Sequence, residues 1–178
     1  MTDNLALGPD GHANHTLTVL RNDSREGSLS SDLDILPGFS IHADPALELS
    51  GSYTSPEGRI LDLDTHVGAN PGHWLALHLK LPAQDIRNNG VLGFVARSSA
   101  PEILVARACL RSGTPDGFED CFFDKHILVR PEETVHMDVL SVQYREQIPT
   151  QASWRELILF LPTQSFKLSL IDLRIFLV

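Results

Sequence analysis

Cysteine, tryptophan and tyrosine are scarce, two of each in 178 residues, and long apolar runs are missing altogether. No stretch approaches the roughly 18 consecutive apolar residues that a membrane-spanning helix needs, so membrane insertion is not expected. The opening residues Met1-Thr2-Asp3-Asn4 lack the basic and apolar regions of a cleavable export signal. Cytoplasmic synthesis is expected, and release by a specialised route or by lysis is compatible with it. Basic residues are also short: 14 Lys and Arg against 23 Asp and Glu leave a net charge of −9. That field repels phosphate backbones and anionic lipid, and no window interleaves Lys or Arg with aromatics as single-strand binders do. Nucleic acid is not an expected partner.

Catalytic signatures are missing too. There is no Gly-x-Ser-x-Gly, no phosphate-cradling glycine loop and no dinucleotide fingerprint. Among eight histidines only His12 and His15 lie three apart, in a polar stretch, and no His-x-His or His-x-x-x-His pair seeds a metal site. No catalytic residue, metal or cofactor is assigned. The one cluster with acid–base potential is Asp62, Asp64 and His66, which strand alternation puts on one face with successive members roughly 6.6 Å apart. Alternation with Leu61 and Leu63 accounts for it equally as a solvent-facing polar edge.

What is present is an all-β pattern. With 42% hydrophobic residues the chain can bury one substantial core, and no linker divides it. Residues 1–36 read as a polar N-terminal arm, partly flexible, with one short strand over Thr16-Leu17-Thr18-Val19-Leu20. From 37 to 178, short apolar runs alternate at period two between Pro, Gly, Asn and Asp clusters. They predict strands over 46–53, 59–67, 74–81, 91–98, 103–111, 118–128, 134–144, 155–161 and 166–178. The clearest is 74–81, where Leu75, Leu77, Leu79 and Leu81 share one face and Trp74, Ala76, His78 and Lys80 the other. No amphipathic helical window competes, so the fold class is a two-sheet antiparallel β-sandwich.

Three finer expectations follow. The turn Ser98-Ser99-Ala100-Pro101-Glu102 and the turn Ser112 to Gly117 would join 91–98, 103–111 and 118–128 into a meander. The stretch 155–161 is apolar on both faces at its centre and belongs in the middle of a sheet. The last strand changes phase, Phe166, Leu168 and Leu170 in one parity and Ile171, Leu173, Ile175 and Leu177 in the other, which predicts a bulge near Leu170-Ile171.

The closing pattern, Trp154-Arg155-Glu156-Leu157-Ile158-Leu159-Phe160-Leu161-Pro162 followed by Phe166 through Asp172 to Val178, resembles the C-terminal end of carbohydrate-binding-module and galactose-binding-like jelly rolls. The resemblance implies a jelly-roll sandwich that binds sugars on a sheet face or at rim loops and often carries a structural calcium. Asp172 occupies the position where such modules place a calcium-ligating carboxylate; the sequence does not locate the further oxygens that calcium requires, so a structural calcium is compatible with the resemblance but no metal is assigned.

On the meander, Arg97, Arg107 and Arg111 share parity with Cys109, and Glu119, Cys121 and Lys125 share parity on the next strand. Arginine forks and aromatic planes suit sugars or carboxylated polymers, so Arg97, Arg107, Arg111, Trp74, Tyr144 and Trp154 are the candidate ligand-binding residues. The opposing account pairs these arginines with Glu119, Asp116 or Asp120 and buries both tryptophans. A register pairing i with about 230 − i would set Cys109 opposite Cys121, yet free thiols are expected. The leading function is a non-catalytic module for a glycan or polysaccharide. The alternative is a structural subunit docking on a larger protein assembly, and a glycoside-type hydrolase using Asp62 and Asp64 is third.

Overall fold

The computed structural model describes residues 8–70 and 72–178; the first seven residues of the predicted arm lie outside them. Helix α1 (Pro9–Asn22) leads into twelve strands: β1 (Arg25–Ser28), β2 (Asp32–Leu36), β3 (Phe39–Ala43), β4 (Ser50–Ser55), β5 (Leu61–His66), β6 (Leu75–Leu81), β7 (Val91–Ser99), β8 (Leu104–Thr114), β9 (Gly117–Val129), β10 (Thr134–Ser141), β11 (Arg155–Leu161) and β12 (Phe166–Leu177). They form two six-stranded antiparallel sheets. The first runs β1-β4-β5-β12-β7-β10 and the second β2-β3-β6-β11-β8-β9, and from β3 onward the chain passes repeatedly from one sheet to the other. Their inward faces share one apolar core that includes Phe39, Ile41, Leu77, Phe94, Leu159 and Leu173.

Each predicted strand of the body is present, with 46–53 shortened at its start because Pro45–Leu47 is a 3₁₀ turn. Strand β11 lies between β6 and β8. In β12 the register slips between Leu170, opposite Ser98, and Asp172, opposite Arg97, leaving Ile171 as the extra residue of a bulge. Both apolar parities of that strand thereby reach buried positions.

The segment read as an arm is built into the sandwich, and its predicted strand at Thr16–Leu20 is part of α1. Ala13, Leu17 and Leu20 are buried at helical spacing. Threonines and a valine make the helix a weak former, and Gly8 provides no side-chain cap, so tertiary packing holds it. One contact is specific: the Asn14 amide donates to Ile175 O at 2.7 Å and accepts from Ile175 N–H at 2.9 Å. Strand β5 pairs with β12 only as far as Leu170. Beyond that point Asn14 supplies at Ile175 the two hydrogen bonds that a neighbouring strand would have made there, and Asp172 Oδ1 accepts from Leu173 N–H.

The predicted meander is also corrected. Strands β8 and β9 form a hairpin, but β7 is flanked by β10 and β12 in the first sheet. A proline turn shortens a connection without deciding whether it makes a hairpin or a corner between sheets. In the β8–β9 hairpin Cys109 faces Phe122 and Leu110 faces Cys121, a register one residue away from the sum of 230. That single step puts Cys109 and Cys121 on opposite faces, so they cannot bond. Both thiols are free and buried, and burial pushes both pKa values up, away from thiolate reactivity.

At the margin of the core, the half-buried His136 of β10 stacks on Phe94 with ring centroids 5.6 Å apart, and its Nε2 has no hydrogen-bond partner among the described residues. Burial lowers its pKa below the usual 6.5, outweighing the opposing effect of Asp138. The unfolded chain therefore binds more protons between that lowered value and 6.5, and stability rises with pH across this window. The contribution is complete above pH 6.5 and is lost as pH falls through the lowered value. Thermal melts of the wild type should decline across that interval, and His136→Phe should flatten the decline; an unchanged profile in the variant would clear His136 of the effect.

Candidate functional site

The outer face of the second sheet gathers a dense set of planar and hydrogen-bonding side chains. Because Leu75, Leu77, Leu79 and Leu81 point into the core, Trp74, Ala76, His78 and Lys80 point outward. The same alternation turns out Glu156, Ile158 and Phe160 from β11 and Arg107, Cys109 and Arg111 from β8. Register assembles them into rows. Ser40, His78, Ile158, Cys109 and Phe122 cross five strands, and His42, Ala76, Phe160, Arg107 and His126 form the neighbouring row. Lys80, Glu156, Arg111 and Asp120 lie on the other side.

Small residues make the floor. Ala76, Cys109 and Ile158 face outward yet are wholly buried, closed over by larger neighbours that include Phe122 and Phe160. Those two rings stack at 5.7 Å, and the Arg107 guanidinium lies 4.2 Å above Phe122. Arg111 holds Asp120 by two parallel bonds of 2.7 Å while covering the Phe118 ring at 3.9 Å. Among the described residues its Nη1 makes no hydrogen bond and can donate to a ligand.

Two histidines add a second network. The Nδ1 of His78 lies 2.8 Å from Glu156, and this bond holds the Glu156 pKa below the usual carboxylate range despite burial. The acceptor is thus ionised at neutral pH and the imidazole Nδ1–H donates. The Nδ1 of His42 lies 2.9 Å from Asp32 and its Nε2 lies 2.9 Å from Ser40 Oγ. The two rings meet edge to face at 4.8 Å. Ser40, His42 and Asp32 thereby have the connectivity of a nucleophile relay. Asp32, however, is 87% exposed, and Ser40 sits in mid-ladder between β2 and β6. Its peptide groups serve the sheet and not an incoming oxyanion.

The two tryptophans stand at opposite ends. Trp74 enters β6, and Trp154 enters the antiparallel β11, in which Arg155 faces Leu81. Eight positions along β6 separate their levels, roughly 26 Å at about 3.3 Å per residue. Both rings are partly open to solvent, 39% and 40%. Trp154 rests on Gly113, where an added Cβ would meet its Nε1 at 2.3 Å. Beside it lies a pocket of about 580 Å³ bordered by His12, Thr16, Lys80, Gln84 and Glu156, among others.

Of the six predicted ligand residues, Arg107, Arg111, Trp74 and Trp154 share this face. Arg97 and Tyr144 do not. Arg97 belongs to β7 of the first sheet, opposite Asp172 and 3.8 Å from Glu133. Tyr144 ends a 3₁₀ turn, Val142–Tyr144, after β10. The one-residue register difference also replaces Glu119, Cys121 and Lys125 on this face by Phe118, Asp120 and Phe122. His42, Asp32, Glu156 and Phe160 complete the residues that sequence reasoning did not select. His78 and Lys80 were legible as outward-facing from the leucine alternation of β6, but nothing local to the sequence tells which strand lies beside β6.

Elsewhere, Asp62 and Asp64 border a groove of about 470 Å³ on the first sheet. Asp64 lies 2.8 Å from Lys167 and 3.5 Å from His66, and Asp62 lies 3.6 Å from Arg59. Among the described residues no third acid borders the groove. Asp172 is engaged by Arg21 at 3.1 Å and Arg174 at 3.5 Å, and among the described residues no three His, Cys, Asp or Glu converge as a metal set. The calcium site that the resemblance implies does not fit these residues.

No protein-family model and no curated protein matches the chain. Solved structures do. The CBM22-1 xylan-binding domain of Xyn10C from Paenibacillus barcinonensis superposes with a TM-score of 0.51 at 11% identity, covering 89% of this chain and 90% of that one. The CBM22-1-CBM22-2 tandem domain of Xyn10C gives 0.55 at 13% identity, over 88% of this chain and 46% of the tandem. Endoglucanase 3 of Trichoderma harzianum, from family GH12, gives 0.50 at 8% identity over 88% and 98%. At such identities the likeness is one of fold, and the chain has the jelly-roll sandwich architecture of these carbohydrate-binding modules, which an endoglucanase shares.

Proposed function

We propose that this chain is a non-catalytic carbohydrate-binding module that takes an oligosaccharide or polysaccharide on the outer face of its second sheet. The observation that supports this reading is the pre-organised face itself. Fixed aromatic planes alternate there with paired donors and acceptors between two partly exposed tryptophans. Sugar rings present apolar faces and a rim of hydroxyls, and binding gains most when the planes and polar groups need no reordering. The bidentate Arg111–Asp120 pair and the His78–Glu156 pair provide that rigidity.

A glycan-array screen of the full chain tests it, with Trp74→Ala and the Arg107→Ala/Arg111→Ala double variant alongside. Specific binding should appear and fall by about tenfold or more in each, corresponding to the loss of ~1–3 kcal/mol expected for a buried aromatic or charged contact. Arg97→Ala should leave it unchanged. Binding that ignores all the face variants would reject the site. The competing assembly reading draws on edge strand β10, where Val135, Met137 and Val139 are exposed in one parity. A silent array with folded protein would transfer the assignment to it.

A further inference from the structure

The pocket beside Trp154 differs chemically from the rest of the face. It is bordered by His12 and Thr16 of α1 on one side, by Ser153 and Trp154 on the other, and by Lys80, Gln84 and Arg155 with Glu156. Its volume of about 580 Å³ falls in the range of small-molecule sites. The charges are unbalanced. Glu156, the carboxylate bordering it, is already bonded to His78. Lys80 faces Glu156 across the β6–β11 ladder but leaves that carboxylate's ion pair to His78, and the fully buried Arg155 donates, among the described residues, only to two carbonyls and a hydroxyl. On a chain of net charge −9, Lys80 is thus the cation this pocket offers beside an aromatic plane, since Arg155 turns its own charge inward.

We propose that this pocket is a subsite for a sugar residue bearing a carboxylate, such as a uronic acid, within the glycan that the face binds. Trp154 offers the plane on which the ring stacks, and Lys80 the cation that meets the carboxylate. Thr16, Gln84 and Ser153 supply hydroxyl and amide groups at the rim. Gly113 is what allows Trp154 to lie as it does, because any Cβ there would strike the indole. The proposal rests on the glycan-binding reading and narrows its ligand class.

NMR titration of the full chain with methyl β-D-glucuronide and, separately, methyl β-D-glucoside tests it. The glucuronide should bind about tenfold to a hundredfold more tightly, as for a charge-assisted hydrogen bond, and should shift the Trp154 indole N–H and residues around Lys80. Lys80→Gln should abolish the preference while keeping the weak neutral binding. Trp154→Ala should remove both, and Gly113→Ala should weaken both by displacing the ring. Equal affinity for the two sugars, no detectable binding, or shifts confined to the Arg107–Phe122 region would overturn the proposal. If the array variants behave as expected but the glucuronide gains nothing, the subsite fails alone. Glucuronide bound in the pocket with a silent array supports the subsite and counts against the extended face.

Discussion

Arg155→Met should lower the melting temperature by about 6–12 °C, from a loss of ~3 kcal/mol at roughly 2–4 °C per kcal/mol for a chain of this size. Arg155 is 1% exposed and carries its charge into the interior without a carboxylate. Nε donates to Ala83 O at 2.6 Å, Nη1 to Ser112 Oγ at 2.5 Å and Nη2 to Pro149 O at 2.5 Å. Burial lowers its pKa to about 10, still far enough above neutrality for the cation to persist. Desolvating that cation is costly, so its removal brings some relief, and methionine fills much of the volume. Against this, two carbonyls and a hydroxyl from three separate segments lose their donor, at ~1–3 kcal/mol for each group left unpaired. The sum favours destabilisation. Scanning calorimetry decides it: an unchanged melting temperature would mean that water replaces the guanidinium at no net cost. Because Arg155 lies between Trp154 and Glu156, the variant should also weaken binding at the pocket.

Gly51→Ala is the second large effect, expected to cost ~3 kcal/mol or more through combined backbone strain and overlap. Gly51 has φ +115, and a Cβ built on it would lie 2.0 Å from Asp64 O, a backbone atom of the paired strand that no rotamer change can move. Gly58 separates the two contributions. Its φ is +83 but nothing lies within 4 Å of its Cβ position, so Gly58→Ala should cost only the conformational part, ~1–2 kcal/mol. Denaturant midpoints of the two variants give the comparison. If Gly51→Ala were no worse than Gly58→Ala, the β4–β5 ladder would have room that its geometry does not indicate.

The strand pattern of this fold was legible because its physics is local. The leucines of β6 alternate, β11 is apolar on both parities, and the phase change of β12 marks its bulge. What was not legible depended on partners distant in sequence. Ala13, Leu17 and Leu20 carry a helical spacing, but the polar residues around them concealed it, and the β-branched run Thr16–Val19 suggested a strand. The turn at Pro101 gave no indication that β10 and β12 would occupy both edges of β7, and so Arg97 was placed beside Arg107 when the two lie on opposite outer faces of the sandwich. The β8–β9 hairpin was recognised, yet one residue of register decided whether Cys121 or Phe122 looked outward. Of the four candidate ligand residues that share one face, Arg107 and Arg111 were legible together from parity along β8 and Trp74 as outward-facing from the leucine alternation of β6, whereas no reading of parity along β11 placed Trp154 there. The His42–Asp32 and His78–Glu156 pairs require strand order, which alternation does not encode.

The bond between Asn14 and Ile175 spans 161 positions, and β12, which it completes, lies at the centre of the first sheet yet follows every other strand in the chain. During synthesis β5 and β7 emerge with one edge each still waiting for that strand, and α1, which emerges before them all, has no edge to cap. The order of manufacture thus runs against the order of assembly. The first sheet cannot close from its beginning; it is completed by the strand the ribosome delivers after the rest, and only then can the earliest helix take up its final place.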